Sequence, residues 1–89
     1  MNLTDKVAII TGSGGGIGRG IALKFGSLGA KVVVADLKFE GAKETVSLIE
    51  KAGGKGLALG TDITDRAQVQ EMVKTTIGAF GKFDILVNN

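Results

Sequence analysis

The sequence predicts an α/β fold with the element order βαβαβαβ, a parallel sheet with helices on both of its faces. Three observations carry this reading. Short runs rich in β-branched residues alternate with amphipathic stretches of helical period. The run Lys31–Asp36 is apolar from Val32 to Ala35 and ends in an acid, as in a strand covered on both faces. A glycine-rich turn, Thr11 to Gly18, joins the first run to the first helical stretch.

The first strand is predicted over Lys6–Ile10, where Val7, Ile9 and Ile10 are β-branched, and the first helix from Ile17 to about Leu28. The second strand, Lys31–Asp36, leads to a helix over Phe39–Ala52. Ala42, Val46, Ile49 and Ala52 share one face of that helix, and Lys43, Glu44, Glu50 and Lys51 share the other. Gly53 and Gly54 end it. A weaker third strand, Lys55–Gly60, runs into Thr61–Thr64, where Asp62 or Thr64 is available as a helix cap. The third helix spans Asp65–Phe80, with Val69, Met72, Val73, Ile77 and Phe80 as its core stripe. Phe83–Val87 is the fourth strand, followed by Asn88 and Asn89.

Eighty-nine residues support one small domain at most. A hydrophobic share of 44% with 22% charged residues is globular in character. No apolar run approaches the ~20 residues of a membrane span. Met1 to Lys6 carry no signal-peptide pattern, so a cytoplasmic location is expected. The chain has no His, Cys, Trp, Tyr or Pro. That excludes, within these residues, a Ser/His/Asp triad, a Cys nucleophile, a zinc site of Cys or His, a Tyr acid/base and any disulfide. The net charge of +2 comes from scattered lysines without interleaved aromatic residues, so neither a nucleic acid nor a membrane is expected as a partner.

The residues with chemical potential fall after the strands. The first helix begins inside the glycine turn, so its free N–H groups and positive dipole end favour an anion above the first strand. Gly12 permits the tight exit from the strand, Gly16 the approach of a pyrophosphate, and Gly18 the packing of helix near sheet. Ser13 and Ile17 belong to the same turn. Asp36, 18 positions after Gly18 and followed by Leu37, is placed to accept both hydroxyls of an adenosine ribose. Its charge repels a 2′-phosphate, so NAD is expected in preference to NADP, with Lys38 and Arg19 the cations available to compensate. Asp62 reaches an adenine amine and Ile63 packs on its ring, or Asp62 simply caps a helix. Asn88 and Asn89 follow the fourth strand beside the first, at the topological switch point, or serve as turn residues.

In combination these residues resemble the short-chain dehydrogenase/reductase family. Thr11, Gly12, Gly16 and Gly18 match its T-G-x-x-x-G-x-G turn. Asp36 matches its acid after the second strand, Asp62 and Ile63 its Asp-hydrophobic pair, and Asn88 and Asn89 the first half of its N-N-A-G motif. The resemblance implies a Rossmann-type sheet, with residues 1–89 forming the N-terminal part of a doubly wound NAD(P)-binding domain. It implies an oxidoreductase that interconverts an alcohol and a carbonyl, homo-oligomeric at full length. The turn would hold the pyrophosphate, Asp36 the ribose, and Asp62 with Ile63 the adenine. Asn88 would line the cofactor cleft and Asn89 would be more structural. The family's later Asn, Ser and Tyr-x-x-x-Lys have no counterpart here, so no catalytic residue is assigned.

Three other readings share some of these features. A non-catalytic NAD-binding or regulatory module needs only the turn and the acids. An S-adenosylmethionine-dependent methyltransferase also uses a glycine turn and an acid, but the Thr11-led spacing and the Asn pair argue against it. A phosphate-binding loop of the kinase type would need Gly-Lys-Ser/Thr where this chain has Gly18-Arg19.

Overall fold

The computed structural model describes residues 1–89. Seven elements follow in the expected order: β1 (Val7–Thr11), α1 (Gly16–Ser27), β2 (Lys31–Asp36), α2 (Phe39–Lys51), β3 (Lys55–Gly60), α3 (Arg66–Phe80) and β4 (Ile85–Val87). They form one parallel sheet in the order β3-β2-β1-β4. The chain runs outward from β1 to β3 and then returns to the other side of β1. Right-handed crossovers in opposite directions must lie on opposite faces of a sheet. Accordingly α1 and α2 cover one face, and α3 covers the other.

The two-residue period of the strands divides the core. Ile10, Val32 and Val34 pack with Ala22 of α1 and with Ala42, Val46 and Ile49 of α2. Ile9, Val33 and Ala35 pack with Met72 of α3. All of β1 is buried, as are Val32 to Ala35 of β2, which explains their unbroken apolarity. Both outer strands, β3 and β4, are edges.

The structure corrects several boundaries. β1 extends to Thr11 and starts at Val7, and β4 is confined to Ile85–Val87. Asp84 causes the shortening: its N–H donates to Val7 O at 2.9 Å, and its carboxylate accepts the Val7 N–H at 2.9 Å. A side chain thus replaces one rung of the ladder and turns the chain before pairing begins. α1 starts one residue early at Gly16 and ends at Ser27, while α2 stops at Lys51. Ala52, expected on the buried face, is the exposed C-cap of α2.

In α3 the N-cap is Asp65, whose carboxylate accepts the N–H groups of Ala67 and Gln68; neither Asp62 nor Thr64 serves. The core stripe also shifts. Thr76 is fully buried and Ile77 is 47% exposed. The Thr76 hydroxyl donates to Met72 O at 2.8 Å, so its burial leaves no polar atom unpaired and the bulkier Ile77 stays outside.

The hydrogen bond from the Val7 N–H holds the Asp84 carboxyl below its ordinary value of 3.8, with Lys82 at 3.2 Å adding a smaller effect in the same direction. A carboxyl lowered in the folded state stabilises the fold above its unfolded pKa, and this contribution is lost as pH falls through the folded value. Stability of the wild type should therefore fall as pH drops below about 4. D84N should be less stable at neutral pH and show a shallower acid dependence, measured by urea denaturation at a series of pH values. Parallel pH curves for the two proteins would show that Asp84 is not coupled to folding.

Candidate functional site

The carboxyl ends of β1, β2 and β3 meet with the end of the chain at one edge of the sheet. Thr11, the last residue of β1, is buried, and its hydroxyl joins two of these segments. It donates to Asn88 Oδ1 at 3.2 Å and accepts the Asn89 N–H at 3.2 Å. Asn89 Nδ2 donates to Gly12 O at 3.2 Å. The segment after β4 is thereby fastened to the exit of β1.

Gly12 leaves the strand with φ +63°, a conformation that favours glycine. Gly18 has a different reason to lack a side chain. A Cβ there would lie 2.1 Å from Gly12 O and 2.8 Å from Asn89 Nδ2, so helix α1 starts in direct backbone contact with the strand exit. At Gly16, φ is +56° and a Cβ would meet nothing within 4 Å, so the space in front of it is open. The N–H groups of Gly15, Gly16, Ile17 and Gly18 have no acceptor in the chain. Free donors at a helix N-terminus, with open space in front of Gly15 and Gly16, suit an anion with several oxygens.

Ser13 is turned the other way. It is fully buried, with its hydroxyl donated to Ile10 O. Its hydroxyl holds the turn from within. Ile17 is 80% exposed and Leu37 73%, so each offers an apolar surface beside the turn.

Asp36 ends β2 with its carboxylate pointing at the turn. Oδ2 accepts the Gly14 N–H and Oδ1 the Lys38 N–H, both at 2.9 Å. Each oxygen keeps a lone pair for an outside donor. Asp62 binds back to its own loop, accepting the Thr64 hydroxyl at 2.6 Å and the Thr64 N–H at 2.9 Å. These two bonds, the hydroxyl's first, hold the Asp62 carboxyl below its ordinary value.

A cleft of about 270 Å³ brings Gly12, Asp36, Leu37, Asp62, Ile63 and Asn89 together. A second hollow of about 170 Å³ lies alongside it between Thr11, Ile63, Met72 and Asn88, so Ile63 borders both. Asn89 lines the cleft with the two acids, and Asn88 lines the neighbouring hollow. Residue order does not reveal which of two adjacent side chains faces a given hollow. A third depression, of about 460 Å³, opens from Asp36 over Gly14, Gly15, Lys38 and Glu40. Arg19 does not reach into it as a free cation, because its guanidinium is bonded to Thr45, Glu44 and Gly14 O.

Gly18→Ala should cost at least the ~1–3 kcal/mol of an overpacked core, since the atom it meets is backbone. Gly20→Ala, where a Cβ meets nothing within 4 Å, should leave stability unchanged or raise it slightly. Urea denaturation of the two variants checks the contrast. Equal stabilities would mean that the Gly18–Gly12 contact is not a constraint.

Comparison with known proteins agrees with this geometry. A family model described as short chain dehydrogenase matches residues 6–89. An oxidoreductase of Thermotoga maritima and the 7α-hydroxysteroid dehydrogenase of Escherichia coli are 45% and 43% identical over the whole chain, which spans about 35% of the length of each. A short-chain dehydrogenase/reductase homolog of Bacillus subtilis, YusS, is 39% identical, and the chain spans 83% of it. A 7α-hydroxysteroid dehydrogenase solved with NADH and 7-oxo glycochenodeoxycholic acid superposes with a TM-score of 0.97 at 43% identity, over 99% of this chain and 34% of that one. The glycine turn, the acid after β2 and the asparagines fastened to Thr11 thus sit on a backbone shared with enzymes of one kind, and the chain belongs to the short-chain dehydrogenase family.

Proposed function

We propose that these residues bind the dinucleotide of an NAD-dependent oxidoreductase that interconverts an alcohol and a carbonyl. The observation that carries the reading is the set of four unpaired N–H groups, Gly15 to Gly18, at the open start of α1. They suit the pyrophosphate. The spare lone pairs of Asp36 accept the adenosine ribose hydroxyls, and Asp62 and Ile63 bracket the adenine. Gly12, Ser13, Gly16 and Gly18 keep the backbone of the turn close, while Ile17 and Leu37 give apolar cover and Asn88 lines the cofactor cleft. A bound nicotinamide ring would supply the hydride acceptor or donor. The structural relative solved with NADH supports a nicotinamide dinucleotide.

The preference for NAD rests on charge. A 2′-phosphate would stand against the Asp36 carboxylate, and Arg19 is already engaged by Glu44 at 3.0 Å. Lys38 is left as the one cation bordering that depression. NADH should therefore bind more tightly than NADPH, and D36N should raise the NADPH-to-NADH affinity ratio about tenfold. Fluorescence titration with both reduced cofactors measures it. A wild type that binds the two equally, or a ratio unmoved by D36N, refutes the assignment.

The absence of Tyr, His and Cys favours a second reading of these 89 residues taken alone, a dinucleotide-binding module without chemistry. The purified chain is expected to bind NADH and to show no alcohol-dependent reduction of NAD. Turnover by the pure chain would place a proton-transferring group among residues not assigned to that role.

A further inference from the structure

We propose that Arg19, held in place by Thr45, is a positioning residue that aims the Gly15 N–H of the glycine turn toward a pyrophosphate, an inference that rests on the dinucleotide reading above. A trans peptide carries its C=O and the following N–H in opposite directions, so fixing one end aims the other. Thr45 Oγ1 donates to Ser13 O at 2.8 Å, and the Gly14 N–H at the opposite end of that peptide donates to Asp36 Oδ2. Arg19 Nη2 donates to Gly14 O at 2.8 Å. With Gly14 O drawn back toward α2, the Gly15 N–H points away from it, on the open side, where it has no acceptor.

The two side chains form one unit. Arg19 Nε donates at 2.8 Å to the same Thr45 hydroxyl that serves Ser13 O, while Nη1 meets Glu44 Oε1 at 3.0 Å. Nη2 also lies 3.4 Å from Gly41 O, tying the turn to the start of α2. A Cβ on Gly41 would stand 2.5 Å from Gly14 O, so the helix is pressed against the carbonyl that Arg19 holds. Thr45 is fully buried, and its hydroxyl is used in both directions, as donor and as acceptor. A planar fork serves several acceptors at fixed angles, which a lysine ammonium on a flexible stem does not.

The test is a calorimetric titration of the wild-type chain, R19M, R19K, T45V and T45S with NADH, ADP and adenosine. R19M and R19K should each weaken NADH and ADP by about tenfold or more and leave adenosine within about twofold, because only the first two carry the pyrophosphate. T45S, which keeps the hydroxyl, should bind ADP like the wild type, and T45V should weaken it as R19M does. This pair also decides the matter if R19M fails to melt cooperatively. Equal losses for ADP and adenosine would mark a purely structural role and overturn the proposal, as would unchanged ADP binding in R19M and T45V. A wild type that binds neither NADH nor ADP would overturn the dinucleotide reading itself, and the proposal with it.

Discussion

The contact between the start of α1 and the exit of β1 constrains everything around it. Gly18 lies so near Gly12 O that a single methyl group would overlap the carbonyl at 2.1 Å. Because the helix begins there, its first N–H groups open over the carboxyl end of the sheet and do not run into the following loop. The same proximity leaves room for Asn89 Nδ2 to cap Gly12 O, which ties the far end of the chain to the turn. The cleft, the donor array and the register of β4 against β1 all depend on this approach.

Sheet order does the rest of the assembly. With β1 central and β4 on the side away from β2, the loops after β2 and β3 gather on one side of β1, and the Asn pair arrives from the other. The reversal of direction opens a crevice at the strand ends of such sheets. Thr11 is the hinge point of that crevice, since its buried hydroxyl touches the segment after β4 while its backbone pairs with Ala35 of β2. The apolar interior on both faces makes the edge rigid enough to hold these groups in place.

Several polar groups at this edge have two duties. Asp36 completes the turn by accepting from Gly14 and starts the next loop by accepting from Lys38, yet it stays accessible. Asp62 is organised by Thr64. No buried side-chain nitrogen or oxygen lacks a partner, although Ser13, Thr45 and Thr76 are fully buried. The unsatisfied donors are instead backbone groups facing open space, where an anion can take them.

The sequence by itself determined the order of elements, the parallel sheet and the turn, because these follow from local patterns: β-branched runs, helical periods and glycine spacing. It also marked Asp36, Asp62 and the Asn pair as residues after strands. Helical period also placed Ala42, Val46 and Ile49 on the buried face of α2, but tertiary structure decided the residues at the margins of a face. Ile77 fits a helical stripe as well as Thr76 does, and only the position of α3 over β2 buries the threonine. Asp65 is the cap of α3, while the Asp62 carboxylate is engaged by Thr64. Arg19 looked like a spare cation, but Thr45 and Glu44 engage it across 26 and 25 residues of sequence. The bond from Asn89 to Gly12 O likewise closes over 77 residues, and local pattern carries no record of it.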